Sequence, residues 1–408
     1  MESKGKGKRE REMAEKNDQL KEIQMLEGHT SKVWSVAWNP ASGTDGKPAI
    51  LASCGADKTV RIWKQNPDTS SFVCVTTIEG GGTRTGRSCS WSPDGDMLAI
   101  TSYDGSFSIW KMIEDDFEQS CILQEKDDEE VVSVSWNPHW DLATCSGNCV
   151  RIWSPSSESE GYESLPALEE HTEDVEMVQW HPNQNNLFSC GCDSTIKVWQ
   201  GSLEDDQFKF KCAQTLGGHL SKVCSISFNA TGDKMVTSSA DLTIKVWGRS
   251  WPDDDYVTWK NIHSLRGYHE FPIYSVHWSS EGIIASGAAD GAICLFVENQ
   301  EGSQERGGAM KLLLRKEKAH EADVNSGQLD PKSQDKSEPM LEMPLAKKRM
   351  DVMNLRERQD EMMQYLFPKK EARKVEVTAV QWSPKGSRLL ASSSDNGTIK
   401  IWEFTPRQ

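Results

Sequence analysis

The sequence predicts an all-β chain: a seven-bladed β-propeller whose N-terminal strand closes the last blade. Three observations carry that prediction. An apolar run ending in an aromatic residue recurs along the chain, a β-branched run ending in a second aromatic follows each time, and turn residues separate them. The first landmark is Val33-Trp34-Ser35-Val36-Ala37-Trp38, returning at Trp91, Trp136, Trp180, Phe228, Trp278 and Trp382. The second is Thr59-Val60-Arg61-Ile62-Trp63, returning at Trp110, Trp153, Trp199, Trp247, Phe296 and Trp402. Copies of the second stand 43 to 49 residues apart, except the last, which follows an interval more than twice as long. A period of that length made of short strands is the pattern of a propeller blade, a unit that buries its faces only against neighbours.

Each element follows from local chemistry. Ser92-Pro93-Asp94-Gly95 and Ser383-Pro384-Lys385-Gly386 are turn clusters between strands. Trp402 is followed by six residues, too few for a fourth strand in blade seven. Glu22-Ile23-Gln24-Met25-Leu26, upstream of the first repeat, is the spare strand expected to fill that place and remove two open sheet edges. The domain reading is therefore a disordered charged tail over 1–20, a propeller over 21–408 and an insertion within blade seven over 327–374.

Composition narrows the function. Sixty-two acidic against 46 basic residues give −16, which argues against a duplex-DNA or membrane-surface binder. Eleven cysteines, an odd number without a regular framework, fit reduced thiols in the cytoplasm or nucleus better than a disulfide scaffold. No stretch approaches the ~20 apolar residues of a membrane span, and the N-terminus has no apolar core of a secretory signal. The basic run Lys4-Gly5-Lys6-Gly7-Lys8-Arg9 reads as part of a disordered tail or as a nuclear address. The insertion reads as a solvated loop or as a docking helix, because Leu345, Val352, Leu355, Met362 and Leu366 fall on one helical face. No Gly-rich loop followed by Lys-Ser or Lys-Thr is present, and Gly80-Gly81-Gly82-Thr83 lacks the strand-to-helix setting of a dinucleotide loop. Cys145, Cys149, Cys190 and Cys192 form no paired Cys-x-x-Cys, so no metal site and no cofactor is expected.

The landmarks resemble the WD-repeat family, which adds a Gly-His pair before the first strand and an Asp six residues before the closing Trp. His29, Ser53, Asp57 and Trp63 match that pattern, as do His171, Ser189, Asp193 and Trp199, and His219, Thr237, Asp241 and Trp247. Blade six keeps His269, Ser286 and Asp290 but ends in Phe296. The resemblance implies a buried chain of indole, hydroxyl, imidazole and carboxylate in each such blade. Serine, histidine and aspartate together also suggest a hydrolase triad, yet three copies at constant spacing read better as a repeated structural network, so no catalytic residue is expected. Blades two and three depart from the pattern. Gly82 and Ile100 replace the His and hydroxyl in blade two, and Gly86 interrupts its first strand. Glu125-Lys126 stands for Gly-His in blade three, whose Cys145-Ser146-Gly147-Asn148-Cys149 turn has no Asp. Asn396 takes the Asp place in blade seven. Both blades two and three are expected to be weaker than four and five.

More specific wording, in Leu26-Glu27-Gly28-His29, Trp34-Ser35-Val36-Ala37-Trp38-Asn39-Pro40, Asp174-Val175-Glu176-Met177-Val178-Gln179-Trp180-His181-Pro182 and Gly267-Tyr268-His269-Glu270-Phe271-Pro272, is similar to the cytosolic iron–sulfur protein assembly WD-repeat family, closest to its plant-type members. The resemblance implies a non-enzymatic adaptor of the targeting complex that docks assembly factors and helps deliver clusters to cytosolic and nuclear apoproteins. The docking face would present Trp34, Arg87, Val132, Glu176, Cys224, Tyr274 and Thr378, with Tyr103 and Asp395 beside them and Arg84 matching a family arginine. Candidate partner-binding residues are thus Trp34, Arg84, Arg87, Tyr103, Glu176 and Tyr274, since aromatic and Arg anchors are what binding hot spots favour. The family's Arg-Asp pair in blade three is Gly147-Asn148 here, so either a partner contact is lost or Arg151 or a neighbour substitutes. The competing reading is a scaffold of a chromatin complex or ubiquitin ligase, though Trp-Asp-x-Arg is absent after every closing strand.

Overall fold

The computed structural model describes residues 19–43, 46–79, 86–113, 116–125, 129–156, 161–204, 207–253, 256–299, 309–320, 375–384 and 388–406. Of the tail expected over 1–20, residues 1–18 lie outside them, as do Arg84 and the insertion over 327–374 with the helix expected from Leu345 to Leu366. Gln19 and Leu20 belong to the first strand and Leu20 is buried in the core, which corrects the tail's end. Strand β1 (Gln19–Leu26) precedes blade one, which holds β2 (Val33–Trp38), β3 (Ile50–Gly55), β4 (Thr59–Gln65) and β5 (Phe72–Glu79). Blade two holds β6 (Gly86–Trp91), β7 (Met97–Ser102), β8 (Ser106–Ile113) and β9 (Asp116–Gln124). Blade three holds β10 (Val131–Trp136), β11 (Leu142–Ser146), β12 (Cys149–Pro155) and β13 (Tyr162–Ser164). Blade four holds β14 (Val175–Trp180), β15 (Asn186–Gly191), β16 (Ile196–Glu204) and β17 (Gln207–Leu216). Blade five holds β18 (Val223–Phe228), β19 (Lys234–Ser239), β20 (Thr243–Asp253) and β21 (Tyr256–Arg266). Blade six holds β22 (Ile273–Trp278), β23 (Ile283–Ala288), β24 (Ile293–Glu298) and β25 (Met310–Lys316), and blade seven β26 (Val377–Trp382), β27 (Leu389–Ser394) and β28 (Ile399–Thr405).

The innermost strands neighbour one another in chain order, and β26 returns to β2, so the ring is closed. β1 completes blade seven in the order β1-β28-β27-β26, running from Gln19 opposite Thr405 to Leu26 opposite Ile399. Its register slips between Glu22 and Gln24, opposite Trp402, at the place where β5 and β17 slip opposite Trp63 and Trp199. The N-terminal strand therefore has the form of a fourth strand, bulge included. Leu26 packs with Val33, Trp38, Ala391, Ile399 and Ile401 across the seam. Full burial of an aromatic such as Trp402 removes some 200 Å² from water, worth about 5 kcal/mol before conformational entropy is counted.

Neighbouring blades are also stitched by hydrogen bonds. The indole N–H groups of Trp38, Trp91 and Trp136 donate to the carbonyls of Gln381, Ala37 and Ser90 at 3.0, 3.0 and 3.1 Å. At later interfaces the Trp180 and Trp278 backbone N–H groups instead donate to the hydroxyls of Ser135 and Ser227, and the indole N–H groups of Trp180, Trp278 and Trp382 have no hydrogen-bond partner among the described residues.

Three tetrads close as the sequence suggests. In blade one, Trp63 Nε1 donates to Ser53 Oγ at 2.9 Å, Ser53 lies 2.8 Å from His29 Nε2, and His29 Nδ1 lies 2.9 Å from Asp57. Because a carboxylate only accepts, Nδ1 carries the proton and Nε2 accepts from the serine. Burial, outweighing the pull of Asp57, lowers the His29 pKa and keeps the ring neutral. Ser189 and Thr237 make the same contacts in blades four and five. Ser53, Ser189 and Thr237 have no exposed surface. A hydroxyl sealed in this way stabilises its blade and cannot reach a substrate.

Blades two, three and seven depart in ways the sequence pattern did not resolve. In blade three, Glu125 occupies the histidine place: Thr144 Oγ1 donates to it at 2.7 Å, Trp153 Nε1 donates to Thr144 at 2.9 Å, and Arg151 is ion-paired to the same carboxylate. The blade is rebuilt around a buried ion pair, which corrects the expectation that it simply lacks a network. In blade seven, His320 Nε2 lies 2.8 Å from Ser392 Oγ, which accepts from Trp402, while Thr398 faces Nδ1 where an Asp would stand. Burial, with Lys400 adding to it, pushes the His320 pKa down to about 3. Among its described residues blade two has no such chain through Ile100; Trp110 donates to Ser108 on its own strand. Gly86 has a packing reason, since a Cβ there would stand 3.3 Å from the Cys54 Cβ across the blade interface.

Candidate functional site

Every inner strand slips register directly after its first residue: between Val33 and Ser35, Gly86 and Cys89, Val131 and Ser133, Val175 and Met177, Val223 and Ser225, Ile273 and Ser275, and Val377 and Ala379. A bulge re-aims the residue it adds. The skipped residues include Trp34, Arg87, Val132, Glu176, Cys224, Tyr274 and Thr378, the set expected at the docking face. The repeat places one such residue per blade at the same end of the ring.

Four of the six candidates meet there. The Arg87 guanidinium lies 4.0 Å from the Trp34 ring centroid, and the Lys32 ammonium 4.2 Å from the same ring. Lys32 also stands 5.8 Å from the Tyr274 ring and 3.4 Å from Glu376. Arg87 reaches Glu130 at 3.9 Å and Glu176 at 3.7 Å, and Glu176 is shared with Lys222 at 3.6 Å. These contacts link all seven blades, and the one from Arg87 in blade two to Glu176 in blade four passes beyond a neighbouring blade. Lys32 loses basicity to burial, which Glu376 partly offsets. Cations held over an aromatic face in a partly desolvated setting contribute about 1–2 kcal/mol each.

Other expectations fare differently. Tyr103 sits half-buried in the turn between β7 and β8, and Asp395 half-buried in the turn after β27. Val132 and Thr378 are buried instead of presented; the Thr378 hydroxyl donates to the Val33 carbonyl at 2.6 Å. Arg151 does not substitute as a surface arginine, because it is buried against Glu125. Sequence reasoning missed Lys32, Glu130, Lys222 and Glu376. A signal was present: each directly precedes the first residue of an inner strand.

The thiols nearby do not form a ligand set. Cys192 Sγ donates to Glu176 at 3.4 Å. Burial pushes the thiols of Cys192 and Cys224 up to about 12, so both stay protonated at neutral pH. None of the eleven cysteines is in a disulfide, and among the described residues no group of three His, Cys, Asp or Glu is placed to hold a metal. No helix among these residues is long and apolar enough to cross a membrane.

Comparison with known proteins agrees with this architecture. The family described as WD domain, G-beta repeat matches residues 20–64, 72–111, 162–200, 210–248, 259–296 and 369–403. The stretch left unmatched before residue 162 is where Glu125 and Arg151 replace the usual network. Protein CIA1 of Arabidopsis thaliana is 45% identical over 406 residues, covering 97% of this chain and 99% of the relative. A probable cytosolic iron-sulfur protein assembly protein Ciao1 of Culex quinquefasciatus is 31% identical over 392 residues, covering 94% and 97%. A probable cytosolic iron-sulfur protein assembly protein 1 of Candida glabrata is 32% identical over 293 residues, covering 68% and 83%. With most of its repeats matched and a relative alike over nearly its whole length, the chain belongs to the WD-repeat proteins and, among them, to the cytosolic iron–sulfur protein assembly family.

Proposed function

We propose that this propeller is a non-enzymatic adaptor of cytosolic iron–sulfur protein assembly. It docks assembly factors and helps deliver clusters to cytosolic and nuclear apoproteins, working as one subunit of a hetero-complex in the cytoplasm. The observation that supports it most is the convergence of Trp34, Arg87, Glu176 and Tyr274 on one end of the ring. Aromatic and Arg side chains, braced by fixed counter-charges, present a preorganised surface that loses little side-chain entropy on binding. Tyr103, and Arg84 ahead of β6, extend the same reading. Repetition of the Ser–His–Asp geometry in sealed interiors supports a structural role for those residues and a surface role for the molecule.

The test is affinity purification of the full chain followed by mass spectrometry, beside Trp34→Ala and Arg87→Ala variants. The expected outcome is recovery of iron–sulfur assembly factors by the parent chain and their loss from both variants, with the thermal midpoint little changed. Recovery of no assembly factors by the parent chain defeats the adaptor reading.

A further inference from the structure

One turn of the ring holds a tryptophan where its counterparts hold glycine. Trp140 lies between β10 and β11, and its backbone N–H donates to the Asn137 carbonyl at 3.2 Å. Gly95, Gly232 and Gly282 make the same turn bond in blades two, five and six, at 2.9, 3.0 and 3.1 Å. All four residues are left-handed, with φ of 77, 73 and 84° at the glycines and 74° at Trp140. A side chain makes that conformation costly, which is why glycine is its ordinary occupant. Strain retained at so bulky a residue points to a use for the side chain.

The indole stands in an aromatic corner. Its ring centroid lies 6.1 Å from that of buried Trp136, at 86°, and Tyr162 on β13 lies 6.1 Å from Trp136 at 77°. Trp140 and Tyr162 are only half-buried and pack on the core of this seam with Met97 and Cys121 of blade two. Next in the chain, the Asp141 carboxylate accepts from Asn137 Nδ2 at 2.8 Å and from Ser154 Oγ at 2.7 Å. Both donors are neutral, so among the described residues its charge has no cation. Burial, with Cys121 and Asp141 adding to it, pushes the Tyr162 hydroxyl up to about 12, so the field of Asp141 reaches this ring. The cations held over rings among the described residues lie on Trp34, Tyr274 and Trp402, and none lies on this corner. The matching turn of blade two adds exposed Asp94 and Asp96, and β13 adds Glu163; the one base on neighbouring β8 is Lys111.

We propose that Trp140, Tyr162 and Asp141 form a seat for an arginine side chain of a partner protein. The guanidinium would lie on an aromatic face, and its N–H groups would meet the carboxylates around it. Arginine suits this corner better than lysine, because its planar, weakly hydrated head stacks on rings and loses less on leaving water. The excess of acids on the surrounding turn and strand selects a cationic occupant. The corner lies at the far end of β10 from Val132 and does not rest on the function assigned to the Trp34 end.

The test uses the full chain and a blocked glycine–arginine–glycine peptide, beside the same peptide with citrulline, which keeps the shape of arginine and lacks its charge. Ligand-observed NMR should show millimolar binding of the arginine peptide and at least tenfold weaker binding of the citrulline one. In chain labelled with fluorotryptophan, the Trp140 signal, identified by its absence from Trp140→Ala, should shift on titration. Trp140→Ala and Asp141→Asn should each weaken binding about tenfold, and Val73→Ala, on the exposed rim of blade one, should leave it unchanged. Asp141→Asn keeps the shape of the turn, so the test holds even where Trp140→Ala disturbs folding. Equal binding of the citrulline peptide, equal binding by Asp141→Asn, or an unmoved Trp140 signal overturns the proposal. Tighter binding of a lysine peptide also overturns it, because the seat then takes an ammonium.

Discussion

Single residues in this ring act through what they bury. Arg151 and Glu125 are 8% and 3% exposed and neutralise each other in blade three. Arg151→Met leaves the carboxylate buried without its cation, and an expected loss of about 3–5 kcal/mol should appear in urea unfolding. Adding Glu125→Gln to that variant removes the stranded charge and should restore most of the loss. His320 carries part of the pH dependence at this scale, beside His277, whose pKa burial lowers to about 4. The folded pKa of His320, about 3, lies below the ordinary 6.5. Below pH 6.5 the unfolded chain takes up a proton that the folded chain refuses, so stability is lost as pH falls from 6.5 towards 3 at about 1.4 kcal/mol per unit. Urea midpoints at pH 7 and pH 5 should show that decline, and His320→Gln should make it shallower. An identical slope in the variant would assign the acid sensitivity to other groups.

At the scale of elements, the latch and the bulges decide the architecture. β1 carries Leu20 and Leu26 into the core and Lys21 and Glu22 to the surface, and its Gln24 clasps blade one. Deleting residues 19–26 should expose the edge of β28 together with Trp402 and Ile401. The expected result is a lower thermal midpoint and concentration-dependent association on gel filtration. A monomer of unchanged midpoint would mean that the ring closes without the latch. The latch was legible in the sequence because the last blade was one strand short and an amphipathic run stood upstream. The inner-strand bulges were not, since a one-residue register shift leaves no compositional trace. Their consequence was partly legible: residues at equal positions in the repeat point to one end of the ring.

Across the whole molecule, stability should vary from blade to blade. Blades four and five have complete tetrads, blade three has its ion-paired replacement, and blade two has neither. Hydrogen exchange in the full chain should find the amides of β7 and β8 opening fastest among the central strands of these four blades. Equal protection in blades two and four would show that inter-blade packing outweighs the tetrads. The cross-ring contacts of Arg87 and Glu176 hold their end of the molecule in one shape on a ring of separate sheets.

Periodic aromatic landmarks by themselves determined the blade number, the strand-short last blade pointed to the closure, and the resemblance to the WD-repeat family implied the three full tetrads, because spacing along the chain is legible without a fold. The tertiary structure alone decided that Glu125 and Arg151 replace a histidine network, that Val132 and Thr378 turn inward, and that Arg87 meets Glu176 from another blade. Those outcomes depend on which distant side chains share a desolvated space, and charge pairing in such a space is a property of the closed ring.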